Sequence, residues 1–318
     1  GNSFWVTFKI QKQELIENAL EVNKAYASRI ARSVEQVLNS DLDKLKYGSV
    51  VIGKTFGDKQ ELAEEVQRLF GQDASFNSVL IADAGGTIVA SAPENLHLDG
   101  LALQHREPLS LRTPIISNAF RSIAGNLVVF ISHPIFDAKG EYLGLIGGSI
   151  QLEQRNTLQA LMDTNVRKDG AHVYLVDSAR RVIYHTDPEH IGNVTGVGLI
   201  VDAALSQDAG TLQATDANGV DMLAGFARVP SSGWGVISQQ PLDNIHAILR
   251  HTMAKVAQGI APLALFGIVL IWWLGARISA PLSRLADCAK RLDSPDSYER
   301  ISAIPSRYFE SWQIRRAL

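Results

Sequence analysis

The sequence predicts an α+β protein: one long N-terminal helix, two antiparallel-sheet modules in series, then an apolar helix followed by a helical linker. Three observations carry that expectation. Ile10 to about Lys46 contains neither Pro nor Gly and is amphipathic at helical spacing. Two later blocks alternate apolar and polar residues around hairpin turns and follow a similar order. Between Lys255 and Arg277 no residue is charged.

The first helix is read from Ile16, Leu20, Ala27, Ile30, Ala31, Val34, Val37, Leu38 and Leu45, whose spacings of three, four and seven mark one helix face. It would run about 35 residues, or roughly 50 Å. Its narrow apolar face suits a parallel homodimer. Lys59 to Phe70 is expected to form a second helix.

The period then falls to two. Ser78–Asp83 and Thr87–Ser91 are strands around the turn Ala84-Gly-Gly86. Pro93 to about Leu111 reads as a loop, and Pro114–Ser117 as short and extended. Leu127–Ser132 and Tyr142–Ile150 flank the turn at Asp137-Ala-Lys-Gly140, and a helix is expected from Glu153 to about Thr164. A similar unit returns with Ala171–Asp177, a turn at Ser178-Ala-Arg180, and Arg181–His185. Strands near 210–214, 221–228 and 233–239 complete it. Val79-Leu-Ile-Ala-Asp83 parallels Val173-Tyr-Leu-Val-Asp177, which points to tandem copies of one α+β module. Helix resumes near Leu242.

Composition narrows the function classes. The chain has 318 residues, 46% of them hydrophobic and 20% charged, which fits folded structure. A net charge of −3 gives no global attraction to nucleic acid. The lone cysteine, Cys288, excludes an internal disulfide and cysteine-rich metal sites.

The uncharged run Val256–Ala276 just meets the roughly 20 apolar residues that cross a bilayer. Trp272 and Trp273 stand near one end, as indoles do at membrane interfaces. Arg277, Arg284, Lys290 and Arg291 follow the run, so the positive-inside rule favours a cytoplasmic C-terminal side. Ser3-Phe-Trp-Val-Thr-Phe8 reads as the outer end of a first, truncated membrane helix.

The order of these elements resembles the double Cache sensor family of bacterial transmembrane receptors. The most specific segment is Ile131-Ser-His-Pro-Ile-Phe-Asp137 with Gly140-Glu-Tyr-Leu-Gly-Leu-Ile-Gly-Gly148. Leu111-Arg-Thr-Pro-Ile-Ile-Ser117, Phe76-Asn-Ser-Val-Leu80, Val182–Gly192 and Gly233-Trp-Gly-Val-Ile237 are also similar to it. The resemblance covers about Ile10 to Leu274. It implies PAS-like modules and this division: 1–9, end of the truncated helix; 10–57, signalling helix and linker; 58–165, membrane-distal Cache module; 166–241, membrane-proximal module; 242–276, exit and transmembrane helix; 277–318, HAMP-like linker. It further implies an inner-membrane receptor, periplasmic from about 10 to 255 and cytoplasmic after 276. Arg277-Ile-Ser-Ala-Pro-Leu-Ser-Arg-Leu-Ala286 resembles a HAMP linker, and Ile304–Glu310 with Arg315–Leu318 resembles the linker of sensor diguanylate cyclases. The resemblance thus implies an output that makes cyclic di-GMP. A histidine kinase or chemoreceptor output is the alternative.

Within Cache modules the stretch after the first hairpin faces the ligand, so the resemblance nominates Arg112, Ser117, Phe120, Arg121 and His133 as ligand-binding residues. A guanidinium holds a carboxylate through two parallel hydrogen bonds, which suits a small anionic or zwitterionic ligand. Phe120 would cover an apolar part of it. The Arg-x-Trp-Tyr pattern of the amino-acid-binding branch does not occur, which puts an ordinary amino acid in doubt. Tyr184, His185, Asp187 and His190 cluster, but Pro188 breaks regular metal-ligand spacing, and no metal or cofactor is expected. No nucleophile elbow, His-Glu-x-x-His pair or Rossmann fingerprint occurs, so no catalysis is expected in this segment. The rival of another class is a membrane-tethered periplasmic hydrolase using His133, or His185 with Asp187. A third reading takes the sheets as purely structural.

Overall fold

The computed structural model describes residues 2–163, 171–196, 198–216 and 219–289. Contacts divide the chain into a unit spanning Gly1–His246 and a second one spanning Ala247–Leu318.

Helix α1 is continuous over Asn2–Ile52, beginning earlier and ending later than the spacing predicts. Its buried stripe includes Ala27, Ile30, Ala31, Val34, Leu38, Leu45 and Ile52. That stripe packs on both sheets of its own unit, so the face expected to suit a parallel dimer is occupied within the chain. Helix α2 (Lys59–Gln72) starts at Asp58, whose carboxylate accepts the Gln60 N–H at 2.9 Å and so caps the helix.

The first sheet holds β1 (Ser78–Asp83), β2 (Ile88–Ala92), β3 (Ile115–Ile116), β4 (Phe120–Arg121), β5 (Leu127–Phe136) and β6 (Tyr142–Gln151). Its order is β2-β1-β6-β5-β3, with β4 also paired to β5, and every pairing is antiparallel. The expected loop 93–111 contains a short helix, α3 (Glu107–Leu111). The helix expected after β6 from Glu153 starts later, as α4 (Thr157–Asp163), and position 164 lies outside the described residues.

The second sheet holds β7 (His172–Val176), β8 (Val182–His185), β9 (Ala209–Thr215), β10 (Asp221–Arg228) and β11 (Gly235–Pro241) in the order β8-β7-β11-β10-β9. Each sheet therefore places its second strand at one edge, then its first, its last and its penultimate. That shared permutation is the structural form of the duplication read from the sequence. Each first hairpin also closes on an aspartate. Asp83 Oδ1 accepts the Thr87 N–H, and Asp177 Oδ1 accepts the Ala179 and Arg181 N–H groups. A carboxylate at this position completes the turn's own hydrogen bonding.

Alternation along the strands gives each sheet two faces. Val79, Ile81, Val129 and Ile131 of the first sheet face the α1 core, as do Val173, Leu175 and Val236 of the second. On the other face of the second sheet, Tyr174, Val176, Met222, Ala224 and Phe226 are covered by an unanticipated helix, α5 (Leu199–Ser206), through Ile200, Val201, Ala203 and Ala204. Where α1 crosses β10 the backbones nearly touch: a Cβ on Gly225 would stand 2.0 Å from the Lys24 nitrogen. Asn23 fixes the crossing by donating to the Leu223 carbonyl at 2.8 Å.

After β11, helix α6 runs from Leu242 to Ala289. Its stretch Leu242–Gly275 is long and apolar enough to span a bilayer, with a mean hydropathy of 1.9 in its most apolar window and no part of that window buried. Leu263, Leu265, Ile271 and Trp272 are exposed, a distribution that water disfavours and lipid favours. The HAMP-like and cyclase-type linker residues 290–318 lie outside the described residues.

Candidate functional site

The free face of the first sheet carries an open cleft whose empty space, open solvent included, is about 680 Å³. Leu80, Val128 and Phe130 supply an apolar floor, and Ser78, Ser149 and Gln151 supply its polar patches. These positions share one face because β1, β5 and β6 alternate in register: Ser78 lies opposite Ser149, and Val128 opposite Gln151. The chain after β2 forms one wall with Leu96, Leu98, Leu103, Gln104 and His105. The turn from Phe120 to Asn126 forms the opposite wall.

The two walls are tied together. His105 stacks on Phe120 with ring centres 5.1 Å apart and planes 16° apart. The Gln104 side chain donates to the Arg121 carbonyl at 2.9 Å. Burial lowers the pKa of His105, which Glu107 beside it partly opposes, so its ring is neutral near pH 7. No lining residue is Asp, Glu, Lys or Arg.

Of the five residues nominated from the sequence, Phe120 lines the cleft and the others are placed elsewhere. Arg112 ends α3 in a left-handed conformation (φ 53°), with its guanidinium 4.8 Å from the centre of the Tyr142 ring. Ser117 is buried; its hydroxyl accepts the Phe130 N–H and donates to the Asn118 carbonyl, fixing the chain between β3 and β4. Arg121 follows Phe120 on β4, so its side chain takes the opposite side. It reaches the Gly125 carbonyl at 2.8 Å and the Glu153 carboxylate at 3.1 Å. His133 lies toward α1, its Nδ1 3.0 Å from Ser49 Oγ and 2.9 Å from the Pro134 carbonyl, and burial lowers its pKa. Residues missed by sequence reasoning are the serines and glutamine of the floor and the His105 wall. The period-two pattern of β1 and β6 was the available signal.

The His185 group is a set of neighbouring rings: His185 lies 4.5 Å from the tilted ring of His190 and 6.4 Å from the stacked ring of His172. Asp187 donates its N–H to His185 Nδ1 at 2.9 Å. Among the described residues no three His, Cys, Asp or Glu side chains gather as metal ligands.

Hydrogen bonds at Asn118 and Ala119 join the cleft wall to the second sheet. Asp177, fully buried at the end of β7, accepts the Ala119 N–H with Oδ2 at 2.9 Å while Oδ1 holds its own turn. Next to it, Asn118 Oδ1 accepts from the Ser178 hydroxyl at 2.7 Å. Ala119 immediately precedes Phe120 of the cleft wall. β7 pairs with β11, and β11 leads without interruption into α6.

Two sheet modules of one topology, an open cleft on the first and, after the second, a helix long and apolar enough to cross a membrane are the arrangement of an extracellular sensor domain. The family model for the Cache domain (dCache_1) matches residues 9–247, and the chain belongs to that family. No curated protein matches it. Among solved structures, an extracellular ligand-binding receptor from Desulfohalobium retbaense superposes with a TM-score of 0.56 at 18% identity, covering 67% of this chain and 39% of that one. The ligand-binding domain of the Pseudomonas fluorescens chemoreceptor CtaA, solved with L-isoleucine, gives 0.57 at 16% identity over 75% of this chain and 98% of that one. The extracellular domain of the putative histidine kinase mmHK1S-Z2 gives 0.55 at 13% identity over 71% and 98%. The fold is thus shared by sensors with different outputs.

Proposed function

We propose that the chain is the sensing part of a bacterial inner-membrane receptor, which binds a small molecule in the cleft of its distal module and passes the change to a cytoplasmic output. The observation that carries this reading is the Asp177 contact, since it connects the ligand-facing turn to the strand pair that continues into α6. Ligand that closes the Phe120 turn on the sheet would load that contact, and only unequal binding to two states can drive the change. The second sheet serves as transmitter, because α5 fills the face equivalent to the cleft. The solved relatives include chemoreceptor domains bound to amino acids, which supports a small-molecule ligand. The output is proposed to be a diguanylate cyclase on the sequence of 304–318; a histidine kinase or chemoreceptor output fits the sensor equally, and a homodimer is the proposed working state.

The lone Cys288 allows a direct test of the layout. In intact cells carrying Lys139→Cys, a membrane-impermeant maleimide should label position 139, on an exposed turn, and should reach Cys288 only after permeabilisation. Labelling of Cys288 in intact cells, with Lys139→Cys protected, would remove the receptor reading.

A further inference from the structure

We propose that the distal cleft takes an uncharged small molecule, apolar at one end and bearing amide, hydroxyl or ring-nitrogen groups at the other, and excludes free carboxylates and amino acids. This rests on the cleft being the sensing site, as proposed above.

The argument begins with what the walls lack. A carboxylate or ammonium taken out of water needs a charged partner or a set of strong hydrogen bonds, and without them it does not bind. The cleft lining contains no acidic side chain, lysine or arginine. The nearby guanidiniums are committed elsewhere: Arg121 to Glu153 and the Gly125 carbonyl, Arg106 to the Gly85 carbonyl. Recruiting Arg121 would break its ion pair and require its side chain to reverse across β4.

What the walls contain is suited to a neutral guest. Leu80, Ile88, Leu103, Val128 and Phe130 form a broad apolar surface, and Phe120 adds an aromatic face already stacked on His105. Ser78 and Ser149 are cross-strand neighbours on the floor, and neither hydroxyl bonds to another described residue. The Gln151 side-chain amide is likewise uncommitted among the described residues. Hydroxyls and a carboxamide that line a cavity offer both donors and acceptors but no net charge, which matches an amide, alcohol or ring nitrogen.

The test uses pairs of probes that differ only in charge: nicotinamide against nicotinate and benzamide against benzoate, with L-isoleucine as the zwitterion. The full chain in nanodiscs is melted with each probe, followed by tryptophan fluorescence. The neutral members should raise the melting temperature, by roughly 5 °C at a hundred times Kd, and the charged members should not. Ser122→Trp, which blocks the rim without removing a floor group, should abolish the shift; Phe120→Ala is the second variant should the first fail to fold. A shift from nicotinate, benzoate or L-isoleucine that Ser122→Trp abolishes overturns the ligand class and leaves the cleft as the sensing site. No shift from any probe, or shifts that both variants leave intact, overturns the ligand class and the sensing assignment together.

Discussion

Replacing Asp177 by Asn should loosen the joint between the two sheet modules while sparing its own turn. The carboxylate is fully buried and accepts three N–H groups: Ala179 and Arg181 on Oδ1, Ala119 on Oδ2. An asparagine that keeps its oxygen toward Ala179 and Arg181 turns its NH2 toward the Ala119 N–H, setting donor against donor. Ala119 is itself buried, so its N–H is left without an acceptor, a loss of about 1–3 kcal/mol. Local opening at the joint would then rise roughly 5- to 150-fold. Hydrogen exchange read at Ala119 and Phe120 measures this directly, and near-native exchange in β10 shows that the fold persists. Unchanged exchange at Ala119 in a folded Asp177→Asn protein would refute the assignment of the joint to this carboxylate.

Gly225→Ala should cost about 2–3 kcal/mol, because the added methyl meets the α1 backbone at Lys24 rather than a yielding side chain; thermal melting should drop by roughly 5–10 °C, and an unaltered melting point would contradict the crossing. Arg112→Ala and Arg121→Ala should leave probe binding by calorimetry within about twofold, and Arg121→Ala should change stability by at most about 1 kcal/mol since its ion pair is exposed. His105, His133 and His185 all have pKa values lowered from 6.5, chiefly by burial. The unfolded chain therefore binds protons more readily than the folded one, so their contribution is intact above pH 6.5 and is lost as pH falls below it. Melting temperature should be level from pH 7.5 to 7 and decline towards pH 5.5, with Gln at all three positions flattening the decline; a flat wild-type profile would count against buried neutral rings.

What was legible in the sequence was local. The Asp-closed hairpins at Asp83 and Asp177 and the strand pattern of β1, β5, β6 and β10 were readable because turn chemistry and period two act over a few residues. Helix α5 was not. Leu199-Ile-Val-Asp-Ala-Ala-Leu-Ser206 is only about two turns long and mixes the strand formers Ile200 and Val201 with helix-favouring Leu and Ala, and Ile200, Val201, Ala203 and Ala204 hold it as a helix by covering a sheet face. The apolar stripe of α1 is legible as a stripe, but whether it meets a second copy or its own sheets depends on contacts between distant segments, such as Asn23 with Leu223.

The candidate site divides in the same way, and strand parity separates two of its nominated residues. Phe120 and Arg121 were nominated together, yet neighbours on a strand point to opposite faces, so one cleft floor could not receive both. Parity separates the two, and the structure places Phe120 in the cleft and Arg121 on the other side, where Glu153 meets it. Applied to β1 and β6, the same parity puts Ser78 with Leu80 and Ser149 with Gln151 on the face away from α1, which is the cleft floor. Parity could not tell that this face stays open in the first sheet and is closed by α5 in the second, because that is decided by which segment returns over each sheet. The chemistry of the ligand follows from this difference: a face whose partners are Ser, Gln and aromatic rings recognises shape and neutral hydrogen-bonding groups, whereas the arginines that drew attention in the sequence hold the frame around it.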